Sequence, residues 1–188
     1  VFDADEYIEE ISYTVTPYDG FGSQVSGTTS NYTISSTTYT FPAAITHSGY
    51  TFAGWKVTKA AEGGSVFKDT TTVYSAGQQI SLNKSYGNVI ITAQWTPNEQ
   101  TNTYGEGVTQ KSPEPATKPK TAESVTVTVT PPTGKMITNL SIKDTDNSTI
   151  AFTPAVNNQT TATDFTFTQS YTGVTVTPTF GDIGYTVT

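Results

Sequence analysis

Apolar and polar residues alternate with a period of two in several stretches of this chain. Val and Thr alternate throughout residues 125–130, and residues 11–16 and 174–177 follow the same pattern. Because successive side chains of a β-strand point to opposite faces of its sheet, this pattern predicts strands with one buried and one solvent-exposed face. The many β-branched residues pack well on a pleated surface. The chain is therefore predicted to be mainly β.

Helical patterns are weak by comparison. No window of about 12 residues combines a 3.6-residue apolar spacing with capping residues, and Leu occurs only at Leu82 and Leu140. The best helical pattern lies at residues 3–11, where acidic residues surround a few apolar ones. We therefore expect little helix in this chain.

A stretch rich in Pro and Thr lies near the middle of the chain. It contains Pro113, Pro115 and Pro119 and few side chains that could bury apolar area. Closely spaced prolines favour an extended polyproline II conformation, which predicts a semi-rigid linker between two domains. The predicted segments are an acidic N-terminal segment at 1–10, a first β module at 11–97, the linker at 98–122, a Val/Thr-rich β domain at 123–181, and a tail or the start of a further module at 182–188.

The last of these segments repeats the beginning of the first module. Tyr-Thr-Val-Thr occurs at residues 13–16 and again at residues 185–188. Recurrence of the same short strand pattern is typical of repeat proteins. We therefore expect the parent protein to be longer and to contain further modules.

The charge of the chain argues against several partners. Charged residues make up 13% of the sequence, well below the roughly 25% of a typical soluble domain. All nine basic residues are Lys and the net charge is −7, so a nucleic-acid backbone would repel the chain and would find no guanidinium group. We expect no nucleic-acid partner.

Cysteine usage and hydropathy limit the chemistry further. Cysteine is absent, which excludes disulfides and thiolate chemistry. No run of about 18 apolar residues predicts a membrane-spanning helix, and the first residues do not resemble a signal peptide. We expect no membrane insertion in this sequence, and for a secreted protein we expect the signal and anchor to lie outside it.

A series of glycine and aromatic residues lies between residues 48 and 97. Gly49-Tyr50-Thr51-Phe52 is followed by Gly54-Trp55, and Tyr74-Ser75-Ala76-Gly77-Gln78 follows after a gap. The last strand of the series ends in Ala93-Gln94-Trp95. The order and spacing of these elements are more specific than any one of them.

These elements resemble the Listeria and Bacteroides repeat family, also called internalin B-type repeats, over residues 11–97. The resemblance implies a small β-grasp-like module that is strung in tandem on bacterial surface proteins. It also implies an α+β fold for this module, with one short helix near residues 42–47. The same resemblance implies that Trp55 and Trp95 fill the interior.

The second domain is similar to the Val/Thr-rich repeats of bacterial surface proteins. Its order is a Val-Thr strand, a Pro-Thr-Gly-Lys turn, a strand through residues 137–142, a turn, a Phe-Thr strand and a final Val-Thr strand. It departs from the usual pattern at residues 169–171, where Gln-Ser-Tyr replaces a Met-Pro pair. The resemblance implies a small antiparallel sheet or sandwich.

Catalytic constellations are absent from the sequence. His47 is the only histidine, and Ser48 beside it would point in another direction on an extended chain, so no nucleophile and base pair is implied. Many acidic residues cluster in segment 1–10, where a solvated face explains them. Residues 62–65 lack the Lys and following helix of a phosphate-binding loop. We predict that the chain is not an enzyme and that it has no catalytic, cofactor or metal site.

Two chemical alternatives stay open at this point. Residues 144–148 begin like a calcium loop, but Thr149 and Ala155 stand where an EF-hand needs glycine and glutamate. A hairpin turn in which Asp and Asn bond their own backbone explains this stretch better. The other alternative is an intramolecular isopeptide bond, for which the pair to check is Lys143 with Asn157 or Asn158.

Aromatic side chains in predicted turns are the best candidates for ligand binding. Aromatic residues make up 12% of the chain, and a large aromatic ring at a loop tip often marks a binding surface. Such rings could stack on the C–H faces of sugars. The candidates for ligand binding are Tyr18, Phe21, Tyr86 and Tyr171.

Together these patterns predict a non-enzymatic repeat or stalk region of a bacterial cell-surface protein. We expect an extracellular monomer, at the cell surface or cell wall, that supports adhesion to a protein or glycan on a host or neighbouring cell. The alternative is a carbohydrate-binding module of a secreted or surface protein. A glycan binder would present several of the candidate aromatic residues on one exposed face, whereas a stalk would scatter or bury them.

Overall fold

The structure is a computed structural model that describes five stretches of the chain. The described residues are 12–27, 29–33, 38–60, 71–82 and 87–184. Within them the chain forms thirteen strands and no helix, which confirms the prediction of a mainly β fold. The predicted helical pattern at 3–11 lies outside the described residues, as do residues 185–188.

The chain divides into two compact units. Unit 1 contains residues up to His47 and the stretch Thr51–Thr96, and unit 2 contains Ser48–Tyr50 and the residues from Pro97 onward. Each unit has its own cluster of buried side chains.

Unit 1 is built around a mixed four-stranded sheet. Its strand order is β2-β1-β6-β4, and β3 pairs with β5 in a separate two-stranded sheet. β1 runs antiparallel to β2 and parallel to β6. The strands are β1 (Ser12–Tyr18), β2 (Ser30–Thr33), β3 (Thr38–Thr40), β4 (Tyr50–Ala60), β5 (Gln79–Ser81) and β6 (Val89–Pro97).

The Gly-Trp pair of the sequence series positions the largest core side chain of unit 1. Trp55 is fully buried, and its indole N–H donates to the carbonyl of Pro42 at 3.0 Å. Its backbone exchanges two hydrogen bonds of 2.8 Å with Tyr74. Gly54 has a φ of +133°, and a Cβ there would lie 2.7 Å from the Tyr74 carbonyl oxygen. Only glycine allows the backbones to approach this closely.

The Ala-Gly turn fixes the other side of the same core. Gly77 has a φ of +74°, and its N–H donates to the carbonyl of Phe41 at 3.1 Å. The N–H of Phe41 in turn donates to Gln78 at 2.9 Å. These bonds hold the ring of Phe41 in the core, where it stacks on Tyr74 with ring centroids 4.7 Å apart.

The family resemblance implied a short helix near residues 42–47, and this prediction is wrong. The structure shows no helix in this stretch. The carbonyl of Pro42 bonds the indole of Trp55, so it is not used by a backbone N–H one helical turn later. A six-residue segment gains too few helical bonds to offset the entropy of nucleation.

Unit 2 is a sandwich of two sheets. One sheet has the order β10-β13-β7 and the other has the order β11-β12-β9-β8. Among the strand pairs of unit 2 whose register is defined, β7 pairs with β13 in parallel and the others are antiparallel. The strands are β7 (Thr103–Tyr104), β8 (Val108–Ser112), β9 (Ser124–Val129), β10 (Lys135–Asp144), β11 (Phe152–Thr153), β12 (Thr163–Thr168) and β13 (Val174–Asp182).

The alternation read from the sequence produces the core of the sandwich. Val125, Val127 and Val129 are fully buried, and the Thr residues between them are not. β13 contributes Val174 and Val176 from the facing sheet to the same cluster. Sheets of this kind pack face to face through their apolar sides.

The prediction that residues 98–122 form a linker is wrong. β7 and β8 lie in this stretch, and β8 pairs with β9 over residues 108–112. Side-chain amides, rather than apolar side chains, hold its Pro-rich part. The amide of Gln110 is buried and donates to the carbonyls of Pro113 at 2.9 Å, Glu114 at 3.1 Å and Thr117 at 2.8 Å. A folded loop needs such partners for its backbone groups, and here a side chain supplies them.

Candidate functional site

The turn after β1 presents an exposed aromatic ring, that of Phe21. The Asp19 carboxylate accepts hydrogen bonds from the N–H groups of Phe21 at 2.7 Å and Ser23 at 2.9 Å. These backbone bonds, first that of Ser23 and then that of Phe21, lower the pKa of Asp19. The turn is therefore held in one shape with the Phe21 ring at its tip.

Trp95 anchors this turn to the sheet. Its indole N–H donates to the carbonyl of Asp19 at 2.6 Å. Gly20 has a φ of +85°, and a Cβ there would lie 2.7 Å from the Ala93 carbonyl oxygen. The turn thus lies directly against the end of β6, and glycine is required at this contact.

Four rings form an aromatic cluster at this end of unit 1. Phe21 stacks on His47 with centroids 3.8 Å apart and an interplanar angle of 15°. Trp95 lies 5.9 Å from Phe21 and 5.8 Å from His47. Phe52 makes an edge contact with Trp95 at 5.6 Å. We call Phe21, His47, Phe52 and Trp95 the aromatic cluster.

The outer part of the aromatic cluster is open to solvent. Phe21 is 47% exposed and His47 is also exposed, whereas Phe52 and Trp95 are half-buried. A solvent-exposed ring that is held in place by stacking offers an apolar face to a flat ligand. Phe21 is the sequence-predicted candidate whose position in unit 1 best suits such a contact.

The other candidate aromatic residues do not join this cluster. Tyr18 is half-buried on β1 and makes no ring contact with Phe21 in the described part of the chain. Tyr171 belongs to unit 2, is 45% exposed, and donates its hydroxyl to Asp146 at 2.6 Å. This hydrogen bond is the main cause of the raised pKa of Tyr171. Tyr86 lies outside the described residues.

The suspected calcium loop is a turn closed by its own carboxylate. Asp144 accepts hydrogen bonds from the N–H groups of Asp146 at 3.0 Å and Ser148 at 2.9 Å. Its second oxygen accepts a bond from Ser170 at 3.3 Å. Asn147 has a φ of +63°, a conformation that Asn tolerates well. The geometry is that of the predicted hairpin turn, in which Asp and Asn bond nearby backbone.

Lys143 has a different partner from those considered for an isopeptide bond. Its amine donates to the side-chain oxygen of Asn147 at 2.9 Å, and not to Asn157 or Asn158. Over the described ranges, no group of three or more His, Cys, Asp or Glu side chains could hold a metal ion. No helix among the described residues is long and apolar enough to cross a membrane.

Two shallow depressions lie in the described part of unit 2. One, of about 340 Å³, lies against β11 and β12 and includes Phe152 and Phe167 in its lining. The other, of about 130 Å³, lies beside the Pro-rich loop at residues 113–119 and is lined partly by Tyr104 and Gln110. Tyr104 donates its hydroxyl to Gln110 at 2.5 Å, so the polar groups that face this second depression bond one another.

Sequence reasoning missed part of the aromatic cluster. It selected Phe21 as an aromatic residue in a predicted turn, but it gave His47 no functional partner and took Trp95 as an interior residue. The structure brings both beside Phe21. These residues are far apart in sequence and have no local pattern that links them. The pairing of β1 with β6 is what brings the turn and Trp95 together.

Comparison with known proteins adds no relative. Neither a protein-family model, nor a curated protein, nor a solved structure matches this chain.

Proposed function

We propose that this chain is a non-enzymatic repeat or stalk region of a bacterial cell-surface protein. In this role it is extracellular, it projects or supports a binding part of the parent protein, and its partners are proteins or glycans of a host or neighbouring cell. The proposal includes the assignment of unit 1 to the Listeria and Bacteroides repeats. The parallel pairing of β1 and β6 supports a β-grasp-like arrangement, because a sheet made only of hairpins would pair all its strands antiparallel.

The observation that carries this proposal is that each candidate aromatic residue among the described residues is half-buried or engaged within its own unit. Phe21 lies in unit 1 and Tyr171 lies in unit 2, while Tyr18 is half-buried. The Tyr171 hydroxyl is engaged with Asp146. A stalk scatters or buries such residues, whereas a glycan binder gathers them into one platform.

The folding of residues 98–122 also supports a spacer role. Residues 98–122 all belong to unit 2 and include β7 and β8, so they are part of a folded unit. Each unit buries its own apolar cluster. Folded units therefore provide the length that a spacer needs, in place of the extended segment that the sequence predicted.

A carbohydrate-binding role is a second candidate because of one observation. The ring of Phe21 is exposed and stacked on His47, and Asp19 in the same turn carries a carboxylate. An apolar ring face beside polar groups is the usual composition of a small-ligand site. A single exposed ring pair offers a small contact area, which would give weak binding.

A glycan array tests both candidates. We would apply the whole chain to an array that includes starch, mucin and wall polysaccharides, together with the variants Phe21→Ala and Tyr171→Ala. Val73→Ala is the control, because Val73 is an apolar residue of unit 1 that is 44% exposed and lies outside the aromatic cluster. The stalk proposal expects no saturable signal. A saturable signal that is lost in Phe21→Ala and kept in Val73→Ala would establish the carbohydrate-binding role instead.

A further inference from the structure

Among the described strands, the first and last of each unit are paired in parallel. In unit 1 these strands are β1 and β6, and in unit 2 they are β7 and β13. A stalk transmits tension along its chain, so the strands at the ends of a unit receive the force first. Their geometry decides how the unit resists that force.

A parallel pair of terminal strands is loaded in shear. The chain enters β1 at Ser12 and leaves β6 at Pro97. Because the two strands run in the same direction, these points lie at opposite ends of the pair. Tension then slides one strand along the other and strains all the hydrogen bonds between them at once. An antiparallel pair pulled from one end would instead lose its bonds one after another.

The shear interface of unit 1 is long. Four consecutive positions pair, from Val15 with Val89 to Tyr18 with Thr92. Side-chain bonds extend the interface beyond both ends of this ladder. At one end the Asn88 side chain accepts a bond of 3.0 Å from the N–H of Thr14. At the other end the 2.6 Å bond between the Trp95 indole and the Asp19 carbonyl joins β6 to the turn after β1.

Both strands of this pair also lie in the interior of the sheet. β1 has β2 on its other side, and β6 has β4 on its other side. Val15, Val89 and Ile91 are each at most 1% exposed. Sliding either strand must therefore break a second set of backbone bonds and expose apolar side chains to water.

The corresponding interface of unit 2 is shorter. β7 has two residues, which pair with Thr175 and Val176 of β13. The Asn102 side chain accepts a 2.9 Å bond from the N–H of Val174, and the N–H of Gly105 donates to Val176 at 2.9 Å. β7 also lies at the edge of its sheet, so its removal breaks one ladder instead of two.

We propose that the β1–β6 pair is a mechanical clamp that keeps unit 1 folded under tension along the chain, and that unit 2 yields at lower force. This inference rests on the proposed stalk function for its biological purpose. The mechanical behaviour itself follows from the strand register and can be measured independently of any ligand.

The direction of pulling tests the clamp. The chain has no cysteine, so two introduced cysteines are unique attachment points on the whole chain. Ser12→Cys with Thr96→Cys pulls unit 1 in shear, and Ser23→Cys with Thr96→Cys pulls from the shared end of β1 and β6. All three positions are exposed. Single-molecule force spectroscopy should give an unfolding force at least about two-fold higher for the Ser12 pair, because forced unfolding follows the unfolding barrier in the direction applied. Equal forces, with equal melting temperatures for the two variants, would overturn the proposal.

A second variant examines the bond at the end of the clamp. Trp95→Phe keeps an aromatic ring and removes the indole N–H that bonds Asp19. We expect Trp95→Phe to lower the unfolding force when unit 1 is pulled through positions 12 and 96. The decrease should be smaller when it is pulled through positions 23 and 96. A fall of the same size in both geometries would show a general loss of stability and would contradict the clamp.

The array and the force measurement separate the two proposals. A direction-dependent force together with glycan binding would retain the clamp and overturn the stalk function. Equal forces together with a silent array would overturn the clamp and leave the stalk function standing.

Discussion

The two units bury their cores with different kinds of side chains. Unit 1 relies on aromatic rings, since Trp55, Tyr32, Tyr39, Phe41 and Tyr74 are all buried in its cluster. Unit 2 relies on aliphatic residues, and its cluster contains two fully buried rings, both on β12. Large rings need few strands to fill a volume, whereas Val and Ile need regular sheets on both sides. Unit 1 accordingly has one four-stranded sheet and a two-stranded pair, whereas unit 2 has a three-stranded and a four-stranded sheet.

The units also differ in how they satisfy buried polar groups. Among the described residues, the buried polar and charged side chains are Gln110, Thr121, Asp144 and Gln169, all in unit 2. Asn102 links two of these regions, because its amide donates to Gln169 at 2.7 Å and to the hydroxyl of Tyr104 at 3.3 Å. Glycines allow close backbone contacts in both units, for example Gly54 in unit 1 and Gly107 in unit 2, and unit 2 adds the buried amides of Gln110 and Gln169.

Truncating the largest core ring of each unit should have the largest effect. Trp55→Ala in unit 1 and Phe165→Ala in unit 2 each remove a fully buried side chain, which costs about 3–5 kcal/mol. Both tryptophans lie in unit 1, so fluorescence during urea unfolding reports on unit 1 alone. We expect Phe165→Ala to lower the urea midpoint of unfolding that is measured by circular dichroism, and to leave the midpoint measured by tryptophan fluorescence unchanged. If the fluorescence midpoint moves as well, the two units depend on each other for stability.

Two glycines of unit 1 should differ in their tolerance of a methyl group. A Cβ at Gly54 would lie 2.5 Å from Val73 and 2.7 Å from the Tyr74 carbonyl oxygen, whereas a Cβ at Gly77 has nothing within 4 Å. Both have positive φ, so both alanine variants carry backbone strain. We expect Gly54→Ala to lose about 2–4 kcal/mol and Gly77→Ala about 1–2 kcal/mol. Urea unfolding followed by fluorescence measures both, and equal losses would mean that the close contact at Gly54 is not rigid.

The amide of Gln110 offers the matching test in unit 2. Gln110→Ala removes the donor to three loop carbonyls and the acceptor of the Tyr104 hydroxyl, which should cost about 2–3 kcal/mol. Thr109→Ala, at an exposed neighbouring position on β8, is the control and should change stability by less than about 0.5 kcal/mol.

Limited proteolysis locates the effect of Gln110→Ala. Trypsin cleavage after Lys111 and Lys120, which flank the Pro-rich loop, should become faster in Gln110→Ala and not in Thr109→Ala. Unchanged cleavage would show that the loop is held by something other than this amide.

The sequence predicts the strands of this chain better than it predicts its connections. The alternation at residues 125–130 corresponds to β9, with its Val residues buried. The Gly-Trp pair and the Ala-Gly turn lie in unit 1, where Trp55 is a core residue. Such patterns are readable because the period of two depends on local backbone geometry alone.

Features that depend on distant partners could not be predicted. The linker prediction rested on the small number of apolar residues in 98–122. The Pro-rich part of this stretch is instead held by hydrogen bonds from the Gln110 amide to three carbonyls, and the fold has to bring those carbonyls near the amide. The stacking of Phe21 on His47 likewise joins residues that share no local pattern. The parallel pairing of β1 with β6 is a third case, because the residues that pair are more than seventy positions apart.

The smallest expected effects come from two tyrosine hydroxyls, one in each unit. The Tyr39 hydroxyl is buried without a well-formed hydrogen bond, although the Ser30 side chain is near enough to oppose the rise in its pKa. The Tyr104 hydroxyl bonds Gln110 at 2.5 Å and accepts from Asn102. Tyr39→Phe should therefore be neutral or stabilise unit 1 by up to about 1 kcal/mol, whereas Tyr104→Phe should destabilise unit 2 by about 1 kcal/mol.

The alkaline pH dependence of unit 1 provides a further test of Tyr39. Burial raises the pKa of Tyr39 to about 12, whereas an unfolded tyrosine has a pKa near 10. The folded state therefore holds the proton more tightly, so the stability that this group contributes is fully present below about pH 10 and is lost as the pH rises through about 12. Urea midpoints from fluorescence should fall over this range in the wild type and fall less in Tyr39→Phe. If the urea midpoint falls equally in both proteins, other tyrosines cause the loss of stability at high pH. The Tyr39 hydroxyl of unit 1 would then not differ from the bonded Tyr104 hydroxyl of unit 2 in the way that we expect.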